Sequence, residues 1–382
     1  MNNQQLFHAL KIGTKSVFGI ALAAVAVALP DTTSAQGCVA ARGAGMTCSP
    51  NALHFGENLP PSSGFQMNVG YRWLQSDRHF SGSHENKERQ EEGSEVINKS
   101  QFTDVTLSYA FNPRFSASFT IPFVLHDRSQ VVRSNDVSRT ILQRFHTQSS
   151  GIGDMRLEGN GWILDPATHM KGNVLIGIGL DMPTGEKDAK DTFQVFRNGQ
   201  ILAEERNVDQ SIQPGDGGWG LALSIYGYQQ IVPRLNAFVN GAYTITPEEK
   251  NGVLTSRSNP FEAEMSIADT YMGRAGLEFV VWPKYGLALS LAGRIEGVPV
   301  HDAIGGSDGF RRPGFAISIE PGVMATYKSW SFGIYAPVAL YRNREQSVPD
   351  KQYQETNPTS PSRHGDAAFA DYLIMFNLTK RF

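Results

Sequence analysis

The chain has 382 residues with 34 basic and 37 acidic side chains, a net charge of -3 and 40% hydrophobic residues. So balanced a charge excludes a nucleic-acid binder held by basic residues, the 22 Phe, 12 Tyr and 5 Trp exclude a disordered chain, and a mean hydropathy of -0.29 excludes a bundle of membrane helices. The 38 Gly, against a usual share of roughly 7%, favour many strands and tight turns, an all-β chain.

The N-terminus reads as an export signal. Lys11 and Lys15 precede the uncharged run VFGIALAAVAVAL at 17–29, followed by Pro30 and the small-residue site Thr33-Ser34-Ala35. This pattern predicts a secretory signal peptide over 1–35, cleaved after Ala35. Thirteen helical residues would rise only about 20 Å, short of the roughly 30 Å hydrocarbon core. Residues 36–63 then form an N-terminal periplasmic segment that could plug the barrel mouth. Its Cys38 and Cys48 are the chain's two cysteines, and an oxidising compartment favours a disulfide between them. A lipidated Cys38 competes poorly, because Gln36-Gly37 makes a weak lipobox, and zinc needs more ligands.

From Gly64 onward apolar and polar residues alternate with a period of two, which a helix cannot satisfy. In GFQMNVGYRWL, the residues Phe65, Met67, Val69, Tyr71 and Trp73 share one face, and Gln66, Asn68 and Arg72 share the other. Twelve such segments begin near residues 65, 102, 115, 151, 173, 219, 235, 270, 287, 315, 330 and 371. Short turns follow the even-numbered segments (112–114, 165–170, 232–234, 283–285 and 328–329), whereas connections after the odd-numbered ones run from about 17 to 36 residues and carry charge, Gly and Ser. That asymmetry predicts a transmembrane antiparallel β-barrel of about 12 strands over 64–382, in the bacterial outer membrane, with periplasmic turns and extracellular loops.

Charge placement agrees. Of fourteen charged residues inside the segments, thirteen share the polar parity: Arg72, Asp104, Asp154, Arg156, Glu158, Asp181, Arg274, Glu278, Arg294, Glu296, Glu320, Asp371 and Arg381. Only Lys380 takes the lipid parity, near a strand end where its long side chain can snorkel to the headgroups. All five Trp lie near strand ends, as an interfacial girdle requires. Trp73, Trp219 and Trp330 have lipid-facing parity. Trp162 and Trp282 do not, so either a bulge shifts their register or they point inward. The closing segment DYLIMFNLTKRF ends on Phe382. A terminal aromatic residue resembles the sorting signal read by the barrel insertion machinery, with Lys380 departing from the usual apolar residue.

Two stretches, SGIGDMRLEGNGWIL at 150–164 and VLIGIGLDMPTGEKD at 174–188, resemble the meta-pathway phenol-degradation family of outer-membrane channel proteins, in which a G-x-G-D strand precedes a Gly-rich strand ending in P-T-G. The matching positions are Gly151, Gly153, Asp154 and Leu157, then Gly177, Gly179, Pro183, Thr184 and Gly185. The resemblance implies a transporter-like barrel that passes hydrophobic or aromatic compounds. From the residues alone, Gly177 and Gly179 leave room at the lumen wall, Pro183-Thr184-Gly185 ends a strand, and Asp154 is placed to pair with Arg156 or a loop Arg.

Inside the barrel, strand pairing would set Arg274 near Arg294 and Glu296, with Glu278, Glu296 and Glu320 interleaved as an ion-pair ladder. Such a ladder either rigidifies the wall or forms a charged constriction that orients a solute. The inward Tyr226, Tyr228, Phe238, Met272, Met324, Tyr335, Tyr341 and Met375 suit an amphipathic or aromatic solute, and equally a narrow barrel that must fill its interior. The lumen candidates are therefore Arg72, Asp154, Arg156, Glu158, Arg274, Glu278, Arg294, Glu296, Glu320, Tyr226, Phe238 and Tyr335.

The long loops, the first with mixed charge typical of solvated surface, could fold inward, gate, or bind a ligand or lipopolysaccharide. No nucleophile-elbow, zinc-protease or phosphate-loop motif is present. His126, His146, His301 and His364 fall in outer loops without partner spacing, and no cofactor is implied. The sequence points to an outer-membrane channel for passive uptake of small hydrophobic or aromatic molecules, surrounded by lipid and lipopolysaccharide and not an enzyme. The competing reading is a closed barrel with a binding or adhesion role for its loops.

Overall fold

The computed structural model describes residues 63–359 and 364–382, so the expected signal peptide, nearly all of the 36–63 segment and the expected Cys38–Cys48 disulfide lie outside the described residues. Backbone groups in hydrocarbon must be satisfied internally, and the chain meets this with twelve staves. They are β1 (Gly64–Ser76), β2 (Ile97–Ala110), β3 (Phe115–Arg133), β4 (Ile141–Ile152 and Met155–Trp162), β5 (Gly172–Met182), β6 (Gly220–Val232), β7 (Leu235–Ile245), β8 (Thr270–Trp282), β9 (Leu287–Val298), β10 (Gly314–Tyr327), β11 (Trp330–Tyr335 and Val338–Arg344) and β12 (Ile374–Arg381). Each pairs antiparallel with the next, and β12 closes on β1 from Gln66 opposite Arg381 to Trp73 opposite Ile374. Among the described residues no helix is long and apolar enough to cross a membrane.

The alternation works as the sequence demands. Leu107, Ile178, Leu291, Phe332 and Leu378 stand exposed on the outer face, while Asn68, Glu158, Asn240, Arg294 and Thr379 are buried inside. Lys380 reaches sideways from the outer face, its Nζ donating to Ser329 Oγ at 2.5 Å and lying 5.0 Å from the Trp330 ring centre. Aromatic residues gather at both rims. Trp282, Tyr285 and Tyr327 adjoin the periplasmic turns, and Trp73 with Tyr372, and Tyr243 with Tyr271, mark the outer edge.

The two out-of-phase tryptophans resolve differently. A bulge between Val280 and Trp282 shifts the register at the end of β8, and Trp282 packs edge-on against Tyr285 at 5.0 Å. Trp162 instead points inward, 5% exposed, among Tyr226, Tyr228 and Phe238.

Three boundaries differ from the sequence reading. β2 starts at Ile97 rather than near 102, and β12 at Ile374 rather than 371, leaving Asp371 outside the strand. The connection after the third segment is a seven-residue turn, 134–140, because β3 and β4 continue as a paired hairpin from Leu125 opposite Ser150 to Arg133 opposite Ile141. Beyond the lipid both hairpin faces mix polar residues with apolar ones such as Val132 and Phe145, so the apolar alternation that marks the other strands is lost there. β4 is interrupted at Gly153-Asp154 and β11 at Ala336-Pro337, where Pro337 has no N–H to donate.

Leu291, 53% exposed on β9 between Leu277 and Pro321, tests the lipid face. Leu291→Arg is expected to destabilise the barrel by about 2–4 kcal/mol, measured as a shift in the urea titration of folding into lipid vesicles.

Candidate lumen site

At mid-barrel the ladder places Arg274 directly opposite Arg294, an arrangement that like charges disfavour. Glu320 on β10 resolves it by bridging both, at 2.6 Å to Arg274 and 3.1 Å to Arg294, while Glu296 pairs with Arg294 at 2.8 Å. All four are nearly fully buried. Glu278 is buried one step nearer the periplasm, level with Asn236 and Ser290. The Arg274 guanidinium also lies 5.6 Å from the Phe238 ring and 5.5 Å from the Tyr335 ring, joining the charged layer to an aromatic one. In that layer Tyr226 stacks on Tyr228 at 6.2 Å, and Trp162 meets both rings edge-on at 6.3 and 6.0 Å. Met324 and Met375 pack beside Tyr335.

Above this layer lies a polar cavity of about 80 Å³, lined by Arg72, Asp104, Arg156, Glu158, Asp181 and a set of Thr and Ser hydroxyls. Arg156 is held by Asp181 in a two-pronged pair. Glu158 accepts from Ser224 at 3.1 Å, and Gly177 makes that contact possible, since a Cβ there would stand 2.5 Å from the Glu158 carboxylate and 2.2 Å from Ser224 Oγ. A second cavity of about 80 Å³ adjoins, sharing Phe102, Gln213, Asp216, Ala268 and Thr270.

The two Gly-containing motifs interlock beside this cavity. Thr184 donates to the Gly153 carbonyl at 3.0 Å and accepts from the Met155 N–H at 2.9 Å. Asp154 turns to the backbone of neighbouring stretches of chain. Its two oxygens accept from the backbone N–H groups of Gly185 and Asp216, each at 2.9 Å. Gly185 and Gly215 touch so closely that a Cβ on Gly185 would stand 2.7 Å from the Gly215 Cα. Asp154 is thus the peg on which the segment 209–218, folded inward from the loop between β5 and β6, hangs against the wall.

That segment is pinned from its other end by residues the sequence did not single out. Asp209 caps the turn Gln210–Ile212, pairs with Arg312 at 2.7 Å and lies 3.4 Å from Arg128. Ile212 is wholly buried, and Gln213 bonds to the backbone of Ala189 and Val208. Beside it, Arg311 grips Asp302 and Ser266. The first loop is not simply solvated: Arg78 joins Glu85 and Asp371, His79 meets Asp366 at 2.7 Å, and Phe80 is buried against Phe369. His126 and His146 lie in β3 and β4 rather than in loops, His126 buried with Nδ1 2.9 Å from Ser100 Oγ. Composition gives no sign of the Asp209 clamp, because adjacent arginines in a Gly-rich loop look like any solvated turn.

No family model matches the chain, and no curated protein matches it. Among solved structures the fold is similar to an outer-membrane channel from Pseudomonas putida F1, with a TM-score of 0.54 and 14% identity over 85% of this chain and 97% of that one. The Bordetella autotransporter BrkA β domain (TM-score 0.42, 10% identity, 84% of this chain and all of that one) and the P. putida toluene transporter TodX (0.39, 9%, 85% and 91%) also match. A closed barrel of this fold with an apolar outer belt is a protein of the bacterial outer membrane.

Two outcomes follow from the pegged segment. Asp154→Ala removes two charge-assisted hydrogen bonds, each worth on the order of 1.5–3 kcal/mol, and is expected to raise hydrogen exchange in 209–218 selectively. Burial pushes the Asp209 carboxyl up, but Arg128 and Arg312 overcome it and hold it well below the ordinary value of 3.8. A depressed pKa contributes stability above the ordinary value and loses it only as pH falls through the lowered one. The Asp209 clamp is therefore expected to persist down to pH 4, whereas Asp209→Asn opens the segment already at pH 7, both read by exchange corrected for intrinsic rates.

Proposed function

We propose that the protein is an outer-membrane channel for passive uptake of small hydrophobic or aromatic molecules, related to the meta-pathway phenol-degradation channels whose paired motifs it carries. The observation that supports this most is the sequence of surfaces along the lumen: a polar, hydroxyl-lined chamber followed on the periplasmic side by Trp162, Tyr226, Tyr228, Phe238 and Tyr335. A ring can stack on such side chains while its polar end stays hydrogen-bonded. The charged trio of Arg274, Arg294 and Glu320 stands where a permeating solute must turn from one surface to the other. Arg72, Asp154, Arg156, Glu158, Glu278 and Glu296 complete the wall of this route, Asp154 by holding the inward segment and the others by lining or bracing it.

The folded loops support a second reading, a closed barrel whose outer surface binds a partner or lipopolysaccharide, since the Asp209–Arg312 pair and buried Ile212 hold a segment across the interior. Flux separates the two. In asymmetric proteoliposomes with a lipopolysaccharide outer leaflet, the channel reading expects benzyl alcohol to enter faster than into protein-free vesicles, and faster still when residues 209–218 are replaced by a short Gly-Ser linker. Entry no faster than in protein-free vesicles, with or without the segment, overturns it.

A further inference from the structure

We propose that the polar chamber is a binding site for a zwitterion of the α-amino-acid type, Arg72 taking the carboxylate and Asp104 the ammonium. This deepens the channel reading and rests on it.

Arg72 is 8% exposed and lines the chamber, yet its guanidinium makes no hydrogen bond or salt bridge among the described residues, and its Nε is buried without a partner. The neighbouring interior arginines are all compensated: Arg156 by Asp181, Arg274 by Glu320, Arg294 by Glu296 and Glu320. Asp104 and Glu296 attract it from a distance without reaching it, and a desolvated guanidinium with no hydrogen-bonded acceptor is costly, so this position suits one from outside the chain. Its geometry is prepared for that. The Phe102 ring lies 4.2 Å from the guanidinium carbon, and stacking occupies the flat face while leaving the in-plane N–H groups, those that grip a carboxylate in two-pronged fashion.

Asp104 supplies the second half. In the β1–β2 ladder Arg72 stands opposite Phe102 and Asp104 opposite Gly70, so the two charges are diagonal neighbours on one wall, roughly 7–8 Å apart at the backbone. Asp104 lines the same cavity and, although attracted to Arg72 and Arg156 across it, makes no hydrogen bond or salt bridge among the described residues. Glu158 presents a further oxygen, Oε2, without a hydrogen-bond partner. A solute carrying only a carboxylate meets these acids as repulsion, one carrying only an ammonium meets Arg72, and a neutral one compensates neither. A zwitterion satisfies both ends at once, with Phe102, Pro122 and Val124 as the apolar surface beside it.

The test uses the purified full-length protein in detergent and four probes that share a ring and differ in head group: L-phenylalanine, phenylacetate, phenethylamine and benzyl alcohol. By isothermal titration calorimetry, phenylalanine is expected to bind at least tenfold more tightly than each of the others. Arg72→Gln is expected to lower its affinity to that of phenethylamine, and Asp104→Asn to that of phenylacetate, with folding of each variant checked by heat-modifiable gel mobility. Equal affinity for all four probes in the unmodified protein overturns the proposal, and so does a folded Arg72→Gln variant that keeps the preference. The wild-type series decides the matter even if a variant does not fold. Faster benzyl alcohol entry without head-group preference sinks this site and leaves the channel reading intact; the preference without faster entry sinks the channel reading and leaves the site.

Discussion

Every feature of this molecule follows from the expense of leaving a polar group in oil. Backbone amides escape it by closing β12 onto β1, and side chains escape it by sorting between two faces, with Lys380 at a strand end as the exception. Once the sorting is complete, the charges have nowhere to go except inward, so the interior must then solve its own electrostatic problem. Two arginines forced opposite each other on β8 and β9 are reconciled by a single carboxylate from β10. The ladder is thus a consequence of closure.

The same logic explains why the inward segment is held at one end through its backbone N–H groups and at the other by the Asp209–Arg312 pair. Asp154 sits where β4 breaks, and the break frees its carboxylate to receive two N–H groups from chain that has left the sheet. The glycines around it serve close approach. Gly185 and Gly215 lie back to back, which any side chain would prevent. A strand interruption, an acid and two glycines together convert a loop into part of the lumen wall.

Strand count, strand order, turn placement and the identity of the lipid face were legible in the sequence, because each depends on a period-two pattern that lipid enforces residue by residue. The pattern fails where lipid ends. The β3–β4 hairpin beyond the membrane has two faces of mixed polarity, so its length and the strand location of His126 and His146 are hidden in the sequence. The same pattern puts Trp162 and Trp282 out of phase, but only the fold separates an inward ring from a bulge. The Asp209–Arg312 clamp joins residues 103 positions apart on two different loops, and neither loop has a periodicity from which such a meeting can be read.

The inward placement of Trp162 carries a practical consequence. Of the five indoles, Trp73, Trp219, Trp282 and Trp330 belong to the rims, whereas Trp162 lies enclosed by Tyr226 and Tyr228 within 6.3 Å. Replacing the four rim indoles by Phe would leave a single indole inside the barrel, fed by energy transfer from two adjacent phenols. Its emission then becomes an optical gauge of whether the barrel interior around it is dry, wet or filled.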